Sequence, residues 1–147
     1  MRMLHDPAIR SSLEERLKAL SPDAPRKWGS MTPDQMLWHL NQFLEFALGK
    51  GERREGKRPP IPLPIMRFLL LNMPWPKSAP THPGALAKDR YDFAAERERC
   101  LALIDSFVRR PLDGPWPVDA AFGEVTGLFT SRLQAKHLDH HLRQFNA

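Results

Sequence analysis

Thiols are nearly absent from this chain: one cysteine, Cys100, serves all 147 residues. A lone cysteine excludes an intramolecular disulfide framework and fits a reducing compartment. Long apolar runs are missing too, and none approaches the roughly 20 residues a membrane-spanning helix needs. The opening segment Met1-Arg2-Met3-Leu4-His5-Asp6-Pro7 has no signal-peptide core, so the expected location is cytoplasmic. No stretch alternates with period two, which argues against strands, and no repeat appears. A strong excess of one charge is also lacking. Lys and Arg number 22 against 17 Asp and Glu, for a net +5. Apart from Arg53, Arg54, Lys57 and Arg58 they are interspersed, as on a solvated surface. The expectation is therefore no nucleic-acid partner and no membrane partner.

What is present is an ordinary globular composition, 41% apolar and 27% charged, of a length suited to one domain over residues 1–147. From Pro7 to Leu20 the apolar residues Ile9, Leu13, Leu17 and Leu20 recur every three or four positions, predicting an amphipathic helix. A second helix is marked from both ends. Thr32 reads as its N-cap, Pro33 as its first residue, Gln35 as the far half of a capping box and Gly49 as its stop. Met31 and Met36 take the staple positions. Met36, Leu37, Leu40, Phe43, Leu44 and Ala47 form its buried stripe, with His39 at the edge. A histidine there is either an amphipathic filler or a group looking into the core toward the last helix.

Fifteen prolines are many, and eight of them fall between Pro59 and Pro83. That density forbids one continuous helix and allows only a short one over Ile65 to Asn72. The expectation is a crossover covering one end of the bundle, with His82 a solvent-facing loop residue. Helical periodicity returns from Leu86 to Arg110, with Phe93, Arg97 by its stem, Cys100, Leu101, Ile104, Phe107 and Val108 inward; Cys100 reads as a small core hydrophobe. Pro111 ends that helix, and Thr126 caps the last one. The fold class is thus all-α, a four-helix bundle with a long Pro-rich crossover between its second and third main helices.

The last helix carries the chemistry. His137, His140 and His141 fall within five positions. Residues advance about 100° each on a helix, so His137 and His141 lie about 40° apart. Two such imidazoles reach one metal ion, and spacing alone allows His137 with His140 as well. Arg132, Lys136, Asp139 and Arg143 define the solvent arc, which leaves His137 and His141 inward and His140 on the flank. Gln144 follows one turn on, placed to hydrogen-bond a metal-bound water or a substrate, or to be a part-buried amide.

The blocks Trp28-Gly29-Ser30-Met31-Thr32, Gln35-Met36-Leu37-Trp38-His39-Leu40, the Phe122-Gly123 turn and Lys136-His137-Leu138-Asp139-His140-His141-Leu142-Arg143-Gln144-Phe145 together resemble an uncharacterised DinB-like family. It stands among the DinB/YfiT-type metal-binding four-helix bundles, and the resemblance covers nearly the whole chain. The resemblance implies one divalent metal bound by His39, His137 and His141. Related members are metal-dependent thiol transferases or hydrolases, and others have no known activity. A histidine commonly precedes the Phe-Gly turn in the family, whereas Asp119-Ala120-Ala121 stand there in this chain.

Three neutral imidazoles leave a divalent ion positive and with an open position, as at catalytic zinc sites; zinc and nickel both suit them. Asp139 and Glu45 are weak candidates for outer acceptors, since both fall on polar faces. The reading is a metal-dependent transferase or hydrolase acting on a small molecule, a thiol conjugate among the candidates. The alternative is a non-catalytic metal-binding bundle with a stress-related binding or interaction role. A homodimer is compatible with either.

Overall fold

A computed structural model describes residues 2–51, 60–77, 83–119 and 121–147. The five helices are α1 (Pro7–Ala19), α2 (Pro33–Ala47), α3 (Leu63–Asn72), α4 (Phe93–Arg109) and α5 (Gly127–Gln144), with a 3₁₀ turn at Pro83–Ala85. Among the described residues there is no strand, only an isolated bridge between Asp119 and Gly123. None of the helices is long and apolar enough to cross a membrane.

Local chemistry sets the helix starts. The Asp6 carboxylate accepts from the Ala8 N–H at 2.9 Å and opens α1. On α2, Gln35 Oε1 accepts from the Thr32 N–H at 3.0 Å, as the capping box requires. Thr126 Oγ1 accepts from Phe129 N–H at 3.1 Å and opens α5. Gly49, at φ +78°, closes α2 in a conformation side chains disfavour.

Helices α1, α4, α2 and α5 pack in that cyclic order, each touching the next and α5 touching α1. That closed ring is the four-helix bundle. Leu13 and Leu17 of α1, Met36, Leu37, Leu40 and Leu44 of α2, Ile104 and Phe107 of α4, and Leu138 and Leu142 of α5 are buried between them. Each such side chain contributes about 1.5–3 kcal/mol by leaving water. Cys100 lies wholly inside this core. Burial pushes its thiol up to about 12, so it is packing and not a nucleophile.

Two boundaries differ from expectation. Helix α3 starts at Leu63 rather than Ile65, because Pro64 is tolerated in a first turn. Helix α4 starts at Phe93 rather than Leu86. Asp92 accepts from Ala95 N–H at 2.9 Å and sets the cap there. The residues before it are drawn to Asp34 of α2 instead. Arg90 Nε donates to Asp34 Oδ2 at 3.0 Å, and Tyr91 N–H donates to the same oxygen at 2.9 Å. Burial raises the Asp34 carboxyl, but these donors outweigh it and hold the group at about 2. Tyr91 then stacks on Trp38, ring centroids 5.0 Å apart and nearly parallel.

The crossover lies against α5 through α3. Helix α3 has no buried residue and is held by polar ties. Lys136 Nζ donates to the carbonyls of Leu70 at 2.7 Å and Met73 at 2.5 Å. Arg67 donates to the carbonyls of Phe122 and Glu124. His82, expected in the solvent, and Arg53, Arg54, Lys57 and Arg58 lie outside the described residues.

Candidate metal centre

Helix α5 turns Ala135, Leu138 and Leu142 into the core, and that rotation carries His137 with them, 8% exposed. His141, one turn on, is half-buried. On α2 the same argument places His39 beside Leu40 and Met36, 3% exposed. The three imidazoles meet where α2 packs on α5. Their ring centroids are 5.0 Å (His39 to His137), 4.6 Å (His39 to His141) and 4.7 Å (His137 to His141) apart. One nitrogen from each lies within 4.8 Å of the other two, and His39 Nε2 is 3.0 Å from His137 Nε2. His39 therefore looks into the core and is no filler.

Two outer hydrogen bonds fix which nitrogens are free. The Ala85 carbonyl is an acceptor only, so His39 Nδ1, at 2.9 Å from it, carries the proton. Nε2 of His39 then holds a lone pair. Gln144 Nε2 donates to the Trp28 carbonyl at 2.7 Å, which leaves Oε1 for His141 Nδ1 at 3.0 Å. His141 Nδ1 is thus the donor, and its Nε2 keeps the lone pair. Orientation of metal-binding histidines by such outer partners is general. Gly29, at φ +83°, makes the second bond sterically feasible: a Cβ there would stand 2.3 Å from Gln144 Nε2.

The electrostatics favour neutral rings. Burial lowers His137 well below the ordinary histidine range, with the three neighbouring histidines adding to the effect. Burial is also the largest influence on His39; the bond to Ala85 raises it less than burial lowers it. Burial and then His39 bring His141 down to about 3, against the opposing bond to Gln144. Unprotonated imidazoles are what a divalent cation needs. Phe43 closes one side, 5.0 Å from His39 and 4.8 Å from His137, and Trp75 of the crossover lies 5.8 Å from His137. The Nε2 atoms of His39 and His137, 3.0 Å apart, can share one proton or turn their lone pairs to one cation. The donor set fits a metal ion.

His140 stays outside the cluster. It is half-buried on the flank of α5, 5.8 Å from the Trp28 ring and 5.4 Å from that of Trp75. Asp139 pairs with Arg16 at 2.8 Å and Arg143 at 3.0 Å, and Glu45 with Arg99 at 2.6 Å. Neither orients an imidazole; Gln144 and a main-chain carbonyl do that. Asp119, before the Phe-Gly turn, accepts from the Ala121 and Phe122 N–H groups at 2.7 and 3.0 Å and shapes the turn. His5, unremarkable in the sequence, is a packing histidine. Its Nε2 donates to the Arg110 carbonyl at 2.7 Å, and its Nδ1 meets Ser131 Oγ at 2.8 Å.

Ala85 and Trp75 were not legible as parts of this site. A carbonyl has no side-chain signature, and Trp75 lies in a segment whose prolines hide its register. Gln144 was legible through its spacing from His141.

The family model that matches the chain is described as the DinB superfamily and spans residues 8–145. No curated protein and no solved structure matches the chain.

Proposed function

The chain belongs to the DinB superfamily, and from that premise we propose that His39, His137 and His141 hold one divalent ion, zinc or nickel, in a transferase or hydrolase acting on a small thiol or thiol conjugate. The observation that carries this reading is the pair of outer hydrogen bonds, from His39 to Ala85 and from His141 to Gln144, that aim unprotonated nitrogens into one cluster. When bound, the ion supplies Lewis acidity, acidifying a thiol or water at its open position.

The chain's own residues supply the rest. His39 and His137 are the sealed side, and the half-buried His141 is the side from which a substrate enters. Trp28, Trp75 and His140 border that side and exclude water from a bound apolar group. Lys77, with Nζ 5.3 Å from the Trp28 ring centroid, and Lys136, 5.0 Å from that of Trp75, add positive charge suited to an anionic thiol.

One observation favours a second reading, a metal-holding bundle without catalysis. Among the described residues the cluster contains no carboxylate to act as a general base. Cobalt(II) substitution separates the two. The enzyme reading expects a small thiol to produce a sulfur-to-metal charge-transfer band, and a thiol-transfer and hydrolase panel to find turnover. A cobalt spectrum unmoved by thiol or azide would transfer the assignment to the non-catalytic bundle.

A further inference from the structure

Between α1 and α5, bounded by Leu71 of α3, is a cavity of about 270 Å³ that shares no lining residue with the histidine cluster. Arg2, Arg16, Arg132 and Lys136 line it, with Asp139 the one acid. That acid is already balanced, bonded to Arg16 Nη1 at 2.8 Å and to Arg143 Nε at 3.0 Å. Arg16 also donates to the Ala147 carbonyl at 2.9 Å, and Lys136 is committed to two carbonyls of the crossover. The guanidinium groups of Arg2 and Arg132 have no hydrogen bond or ion pair to any other described residue. Arg132 and Lys136 stand four residues apart on α5, an arrangement in which like charges repel. Apart from the Ser12 hydroxyl, the rest of the wall is apolar, made by Ile9, Leu13, Leu71 and Ala135.

We propose that this cavity binds a small organic anion, a carboxylate or phosphate head on a short apolar body. The head meets the guanidinium groups of Arg2 and Arg132, whose planar donors match carboxylate and phosphate oxygens. The body lies on Ile9 and Leu71, the half-buried apolar residues of the wall, which an inorganic ion would leave uncovered. The volume is of the order of a short-chain ligand. The proposal does not depend on the metal reading.

Calorimetric titration of the full chain with hexyl phosphate, hexanoate, inorganic phosphate and 1-hexanol tests it. At least one hexyl anion is expected to bind with one-to-one stoichiometry, the tighter of the two identifying the head. Inorganic phosphate and hexanol are each expected to bind at least about tenfold more weakly, since each lacks one half of the recognition. Arg132→Gln should weaken the hexyl anion about tenfold or more, and Arg2→Gln added to it should weaken it further. Both arginines reach solvent, and circular dichroism is to check that the variants fold. His141→Ala should bind the anion as the parent chain does. Three results would overturn the assignment: no saturable binding of either hexyl anion, undiminished affinity in the double variant, or loss of binding in His141→Ala. Equal affinity for inorganic and hexyl phosphate would overturn the organic class.

Discussion

Gln144 spends both ends of one amide, the nitrogen on the Trp28 carbonyl and the oxygen on His141 Nδ1. Gln144→Leu keeps the size and removes both bonds, so His141 loses the partner that sets its tautomer. Metal affinity is expected to fall about 10–100-fold, read by competition with a chromophoric chelator, with the far-ultraviolet spectrum unchanged. An unaltered affinity would show that His141 orients without the amide. A second consequence concerns acid. The unfolded chain's histidines titrate near about 6.5, whereas burial holds His141 at about 3 in the fold. Between those values the unfolded state binds more protons. Stability of the metal-free chain is therefore full above the upper value and declines as pH falls toward the lower one. The slope from His141 alone reaches about 1.4 kcal/mol per pH unit. Urea melts at pH 7 and pH 5 measure it, and equal midpoints would contradict the burial argument.

Among the elements, those with chemically marked ends were legible in the sequence. Thr32, Pro33, Gln35 and Gly49 bound α2, and Thr126 opens α5, where the residues themselves promise those boundaries. The inward pair of α5 was legible because Arg132, Lys136, Asp139 and Arg143 define its outer arc. The start of α4 was not. Leu86 to Asp92 is compatible with helix by composition, and the capture of Arg90 and Tyr91 by Asp34 is a contact across 56 and 57 residues that no local pattern announces. The His39 to Ala85 bond is hidden for the same reason, spanning 46 residues and using a backbone oxygen. Helix α3 poses the opposite case, an apolar segment with no buried residue, Phe68 being 62% exposed. An element held by Lys136 and Arg67 rather than by a core opens more easily than its neighbours. Hydrogen exchange should therefore be faster for α3 amides than for those of α2 and α5, and Lys136→Met should speed it further. Protection of α3 equal to that of α2 would contradict this account of the crossover.

At the scale of the molecule, a closed ring of four helices brings residues about a hundred positions apart, His39 and His137, to 3.0 Å. The cluster exists only when α2 and α5 are packed, so an ion binding there binds the folded state and stabilises it. At a free-metal level one hundred times the dissociation constant the gain is about 2.7 kcal/mol. Metal content after dialysis against a zinc or nickel buffer, for the parent chain and four single variants, tests the central claim most directly. The account predicts one ion per parent chain and per His140→Ala chain, and loss of the ion from His39→Ala, His137→Ala and His141→Ala. Retention of a full ion by any of those three, or its loss from His140→Ala alone, would contradict it.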